Sequence, residues 1–265
     1  MRRTILSAIL LLSSPLAVAQ SSSPEALYDR GIDAITGVGP SENDALGIDY
    51  FRRSAEIGYG PAQIALAYYY ETGTGVAVNQ SQAIDLYRKA AQQGDPLAGW
   101  LVGRHYFLGN GVPRDLDAAQ KWLKLSADQN NAYGAYYLGR LVADRDAAKA
   151  AKLFKIAADL GLPQAQYFYA KALKDGHGIP QDRFTAYIWY SIALDAGYTA
   201  AGADLGELNS GSYLTLDQIS QAKVKARDLE QVVIRAVTAR GCSGWDGEFD
   251  EFPTPPPPKL QRFCH

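Results

Sequence analysis

The chain is short of the side chains that build reactive or cross-linked centres, with two cysteines, three histidines and one methionine in 265 residues. Two thiols cannot supply a Cys-rich zinc site or a disulfide framework. His105, His177 and His265 are too far apart in sequence to form the His-x-x-x-His pair of a catalytic zinc site. A basic surplus is missing too: Lys and Arg number 26 against 28 Asp and Glu, a net charge of -2. Nucleic-acid binding draws on a positive face that releases phosphate counterions, and this balance supplies none in bulk. Past the N-terminus no apolar run approaches the roughly 18 residues of a membrane-spanning helix. What is present, 47% hydrophobic and 20% charged residues, is the composition of a soluble globular protein.

Catalytic signatures are equally sparse. The sequence has no Gly-x-Ser-x-Gly turn for a nucleophilic serine and no Gly-x(4)-Gly-Lys loop for a phosphate. Ser220-x-x-Lys223 fits the spacing of penicillin-recognising enzymes, but the Ser-Asp-Asn and Lys-Thr-Gly companions are absent. Asp246, Glu248 and Asp250 alternate as calcium ligands do, yet the closing glutamate of an EF-hand loop is missing. The sequence therefore predicts a non-enzyme without cofactor or metal.

Residues 1–19 combine Arg2-Arg3, an apolar run from Ile5 to Leu12, and Ala17-Val18-Ala19. A basic start, a short apolar middle and an Ala-x-Ala end predict a secretory signal peptide cut after Ala19, and hence a periplasmic or secreted protein with no membrane span after cleavage. In an oxidising compartment Cys242 and Cys264 are predicted to pair, closing a loop whose entropy is worth about 3 kcal/mol.

Internal repetition governs the rest. The pairs Gly37/Gly39, Gly73/Gly75, Gly109/Gly111 and Gly176/Gly178 recur at offsets of 36, 36 and 67 along the chain. The last offset leaves room for a unit around 134–164 that is five residues short and has lost its Gly pair. In the second half of a unit Ala83, Leu86, Tyr87, Ala90 and Ala91 follow the i, i+3, i+4, i+7, i+8 spacing of one helix face. The same positions recur in all five units. Asn43, Asn79, Asp115, Asp146 and Asp182 stand where N-caps belong, and Gly58, Gly94, Asn130, Gly161 and Gly197 where left-handed C-caps belong. The first half of each unit reads as a shorter helix, such as Ala62 to Glu71 or Ala165 to Lys174, ended by the Gly-x-Gly turn. Paired helices too poor in apolar area to bury themselves must stack on their neighbours.

The prediction is an all-α, right-handed superhelical solenoid of helix-turn-helix repeats. The array covers 26–200, a degenerate last repeat and capping helix 201–240, and a Pro-rich, disulfide-closed tail 241–265. Thr215 is the predicted N-cap of the last helix, with Ile219, Ala222, Val224, Ala226, Leu229, Val232, Val233 and Ala236 as its apolar side.

The unit Ala-x(4)-Gly-x(5)-Gly-x-Gly-Val, followed by Asp, Ala, Trp and Ala from Ala98 to Ala127, resembles the Sel1-like repeat, a relative of the tetratricopeptide repeat with a longer loop. Pro40 in place of Val, and the missing Gly pair of the fourth unit, depart from that pattern. The resemblance implies a protein-binding adaptor or regulator; an immunity protein against an exported toxin, or a hydrolase of penicillin-like substrates, are the alternatives. In helix-pair solenoids the first helices line the concave face. Residues there that leave the pattern, namely Tyr69, Arg104, His105, Tyr137, Arg140, Phe168 and Lys171, are the predicted contacts to a protein partner of a monomeric scaffold. Their charge suits an acidic or extended segment.

Overall fold

The computed structural model describes residues 23–36 and 43–239. The predicted leader, the first Gly-x-Gly turn with Pro40, and the tail with Cys242 and Cys264 lie outside the described residues, and so does the predicted disulfide. Among the described residues every regular element is a helix: α1 (Pro24–Thr36), α2 (Asp44–Glu56), α3 (Gly60–Thr72), α4 (Gln80–Gln92), α5 (Pro96–Leu108), α6 (Leu116–Ala127), α7 (Ala132–Val142), α8 (Ala147–Asp159), α9 (Pro163–Asp175), α10 (Arg183–Asp195), α11 (Ala201–Leu208) and α12 (Leu216–Ala239). From α1 to α11 each helix packs on the next in sequence, and α12 returns to lie along α10. This near-neighbour contact pattern is that of a solenoid.

The second helices start and stop where the cap residues stand. Asn43, Asn79, Asp146 and Asp182 accept a bond from the backbone N–H three residues on, and Asp115 accepts from Asp117 and Ala118. At the far ends Gly58, Gly94, Gly161 and Gly197 have φ of +100°, +95°, +90° and +90°, and Asn130 takes +60°. The first helices differ from expectation in length. Pro61, Pro96 and Pro163 sit in their first turns, where a missing N–H costs nothing, so α3, α5 and α9 begin before Ala62, Ala98 and Ala165 and reach 13 residues.

Within a unit, a small residue on the first helix receives a large one from the second. Counted from Pro24, Gly60, Pro96, Ala132 and Pro163, the eighth residue is Gly31, Ala67, Gly103, Gly139 or Ala170. A Cβ at Gly31 would lie 2.5 Å from the Phe51 ring, at Gly103 2.7 Å from Leu123, and at Gly139 2.7 Å from Phe154. Ser54 and Ser126 add a bond across the same interface, donating to the carbonyls of Pro24 and Pro96 at 2.6 Å.

Between units, the second glycine of the turn seats on the start of the preceding second helix. With positive φ, Gly111 would place a Cβ 2.5 Å from Gln80 Cβ, and Gly178 would place one 2.3 Å from the backbone of Ala147. The fourth unit has no such turn: α7 has 11 residues, and the Arg145 and Asp146 N–H groups both return to the Val142 carbonyl. The cover over the start of α6 is missing there, and a shallow hollow lined by Arg114, Leu116, Leu141, Asp144 and Arg145 opens in its place.

At the far end Ile219, Ala222, Ala226 and Val233 of α12 are buried, whereas Val224 and Val232, expected on the same side, are 56% and 60% exposed. Successive residues advance by about 100° around a helix, which turns Val224 and Val232 away from the Ala222–Ala226 line. The opposite side is mixed: Asp217, Gln221, Asp228 and Arg235 are exposed there beside Val224 and Val232, and the buried side covers α10. Thr215 and Gln218 form a reciprocal capping box at the start of α12, with bonds of 2.9 and 3.2 Å.

The small-on-large contact predicts a contrast at one register position. Gly103→Ala drives a methyl into Leu123 and is expected to lower stability by about 1–3 kcal/mol in urea unfolding. Gly206→Ala, at the eighth position counted from Thr199, meets nothing within 4 Å and is expected to be neutral or to stabilise by up to about 1 kcal/mol.

Candidate functional site

The first helices form one row joined side chain to side chain. α5 is buried on nearly all sides, with eight consecutive residues from Ala98 to His105 inside. Trp100 on α5 stacks on Tyr133 of α7 at 4.4 Å between centroids, and Tyr136 of α7 meets Phe168 of α9 at 5.8 Å.

Along this row the twelfth residue of one full-length unit faces the ninth of the next, a separation of 33 in the chain. Glu71 pairs with Arg104, Arg140 lies 6.0 Å over the Phe107 ring, and Lys174 pairs with Glu207 at 3.0 Å and with Asp204. These contacts make successive rungs, and their chemistry changes along the array from anion–cation to ring–cation to cation–anion. The rung between the fourth and fifth units differs. Its twelfth position is Ala143 and its ninth is Lys171, which is exposed.

The Glu71 rung is the centre of a buried polar network. Tyr87 donates its hydroxyl to Glu71 Oε2 at 2.9 Å, and His105 Nε2 lies 3.6 Å from Glu71 Oε1, a distance of electrostatic contact rather than a good hydrogen bond. His105 Nδ1 sits 2.9 Å from the Asn110 carbonyl oxygen, which ties the Gly-x-Gly turn to the same cluster. Burial alone would push the Glu71 carboxyl up, but His105 and the Arg104 guanidinium more than offset it and hold the carboxyl below its ordinary value. Burial, with the Glu71 charge next in weight, drives the Tyr87 phenol well above the ordinary value.

The seven residues singled out from the sequence separate into two groups. Tyr69, Arg104, His105 and Tyr137 are interior side chains: Tyr69 stacks on Phe51 at 5.9 Å, and Tyr137 is wrapped by Trp100, Phe107 and Tyr136. Arg140 and Phe168 are half-buried and Lys171 is exposed. Departure from the repeat pattern marks variable rungs and variable core pairs as well as free surface, because a first helix is covered on two sides. Half-buried tyrosines of the first helices, Tyr68, Tyr133 and Tyr167 among them, escape that criterion. Burial, with Asp204 next in weight, pushes the Tyr167 phenol up to about 12.

Ser220 and Lys223 both lie exposed on α12. Among the described residues no group of three His, Cys, Asp or Glu side chains is placed to hold a metal ion, and no helix is long and apolar enough to cross a membrane.

Glu71 contributes stability that is present above the unfolded carboxyl value near 4.5 and is lost as pH falls through its lower folded value. Glu71→Gln, which leaves Arg104 buried without its counter-charge, is expected to cost about 3–5 kcal/mol at pH 7. The variant should then lose less than the parent between pH 7 and pH 3.5. Urea titrations at the two pH values measure both effects.

The Sel1 repeat family model matches residues 24–59, 60–95, 96–131, 132–162 and 163–198. Among solved structures the chain is similar to c5321, a protective antigen present in uropathogenic Escherichia coli strains displaying an SLR fold, with a TM-score of 0.74 and 24% identity over 89% of this chain and 52% of that one. It thus spans about half the length of that protein. It is also similar to a Sel1 repeat protein from Oxalobacter formigenes, with a TM-score of 0.68 and 26% identity over 82% of this chain and 91% of that one. No curated protein matches it. With five matched units and the stacking that such units require, the chain belongs to the Sel1 repeat family.

Proposed function

We propose that this chain is an exported, monomeric, non-catalytic scaffold that holds an extended segment of a partner protein along its row of first helices. The observation that carries the reading is the row itself: half-buried Tyr68, Tyr133, Arg140 and Tyr167 and exposed Lys171 recur along one continuous line of helices. Tyrosine and arginine are the residue types that anchor interfaces, because they offer large rigid area with a polar tip. Packed helices lie about 8–10 Å apart and an extended chain advances about 3.3 Å per residue, so about every third residue of a partner segment meets a new unit. Sel1 repeat proteins are generally protein-interaction scaffolds, which supports the class of function. Export rests on the leader-like residues 1–19 with Ala17-Val18-Ala19 at their end.

Site-specific photo-crosslinking tests the reading. A benzoylphenylalanine at Tyr68 or at Tyr133 is expected to capture one and the same protein in the periplasm, whereas the label at Leu125 or Ile156, exposed on the second helices, captures none. Capture only from the second helices would contradict it. Mass spectrometry of the purified periplasmic chain is expected to begin at Gln20.

A further inference from the structure

We infer that the rung between the fourth and fifth units is left open for a carboxylate of the partner, with Lys171 as its receptor; this rests on the scaffold reading above. The charged and ring–cation rungs of the row are all closed from within. Glu71 answers Arg104, the Phe107 ring answers Arg140, and Asp204 with Glu207 answers Lys174. Each of these cations is partly or wholly withdrawn from water by its partner. Lys171 occupies the same ninth position, but the five-residue deletion of its neighbouring unit brings α7 to an end at Val142, and the twelfth position there is Ala143. A methyl group supplies neither charge nor ring. Lys171 is exposed and makes no hydrogen bond or ion pair with the described residues.

The neighbours of the open rung favour one class of occupant. Arg140, one unit earlier, already lies over the Phe107 and Tyr136 rings at 6.0 and 5.8 Å, and Tyr167 lies on the same helix as Lys171. Arg140 and Lys171 stand on neighbouring first helices joined by the Tyr136–Phe168 contact at 5.8 Å, and two such cations beside rings match a segment in which acidic and aromatic residues alternate. A basic or uncharged segment would leave Lys171 without a counter-charge or set it against a like charge.

A fluorescein-labelled decapeptide of alternating Glu and Tyr is the probe, with alternating Lys and Tyr as its control, read by anisotropy on the full chain at low salt. The acidic peptide is expected to bind and the basic one not. Lys171→Glu is expected to weaken binding about tenfold, Lys171→Arg to keep it within about threefold, and Lys121→Glu, the same charge change on the second-helix side, to leave it unaltered. Ala143→Glu closes the rung from within, as Glu71 does for Arg104, and is expected to weaken binding about tenfold in a chain of unchanged helicity. No binding of the acidic peptide, or equal effects of Lys171→Glu and Lys121→Glu, would overturn the inference. Crosslinking from Tyr68 and Tyr133 does not depend on Lys171, so a failure at this rung leaves the scaffold reading to stand or fall by itself.

Discussion

The first helices are buried from two sides at once, and the other features of the molecule follow from that. A first helix takes a large side chain from its own second helix into the space above a glycine or alanine, and it meets the first helices before and after it through the rungs. No single pair of helices offers enough apolar surface to do this alone, because a second helix has one buried stripe and a polar back. Stability is therefore a property of neighbours. Among the described residues the first and last helices expose charged side chains, Glu25, Asp29 and Asp33 on α1 and Asp217, Asp228 and Arg235 on α12, the latter beside exposed Val224 and Val232.

The same arrangement explains the uneven role of charge. On the second helices ion pairs such as Lys155 with Asp159 are exposed and one helical turn apart, and such pairs add little. On the first helices the paired charges belong to different units and are largely shielded, so removing one partner strands the other in a poorly solvated place. The apolar core reflects this. It divides into two clusters at α3, where Tyr69 belongs to the N-terminal one and Ile64 to the longer one, and the Glu71 network lies at the end of the same helix. The polar rung joins two bodies of apolar packing as a specific rather than a merely oily contact.

How much of this is legible in the sequence follows from geometry. The second helices can be read with their caps and stripes because one-sided burial writes a periodic pattern: Asn79 before Ala83, and Gly94 after Ala91, need no knowledge of the rest of the chain. The first helices are legible only as short helices ended by the Gly-x-Gly turn, because a helix such as α5, apolar around most of its circumference, shows no stripe to count. That is why Tyr69 and Tyr137 look like surface candidates in the sequence while Tyr68 and Tyr133, on the exposed side, go unnoticed. On α12, counting apolar residues without the rotation between them places Val224 and Val232 on the wrong side. The rung partners do leave a trace, since Glu71–Arg104 and Lys174–Glu207 share a separation of 33 with opposite polarity. That trace emerges only once α3 and α5 are known to run for 13 residues each.

The stack turns on the twelfth residue of one unit and the ninth of the next forming a coupled pair that can run in either polarity. A charge-swap cycle measures this directly: Glu71→Lys, Arg104→Glu and the double variant, each unfolded in urea. If the pair is coupled, each single change is costly and the double change recovers most of the loss, because Lys174 and Glu207 already realise the reversed rung. A double variant as unstable as the sum of the two single ones would contradict it.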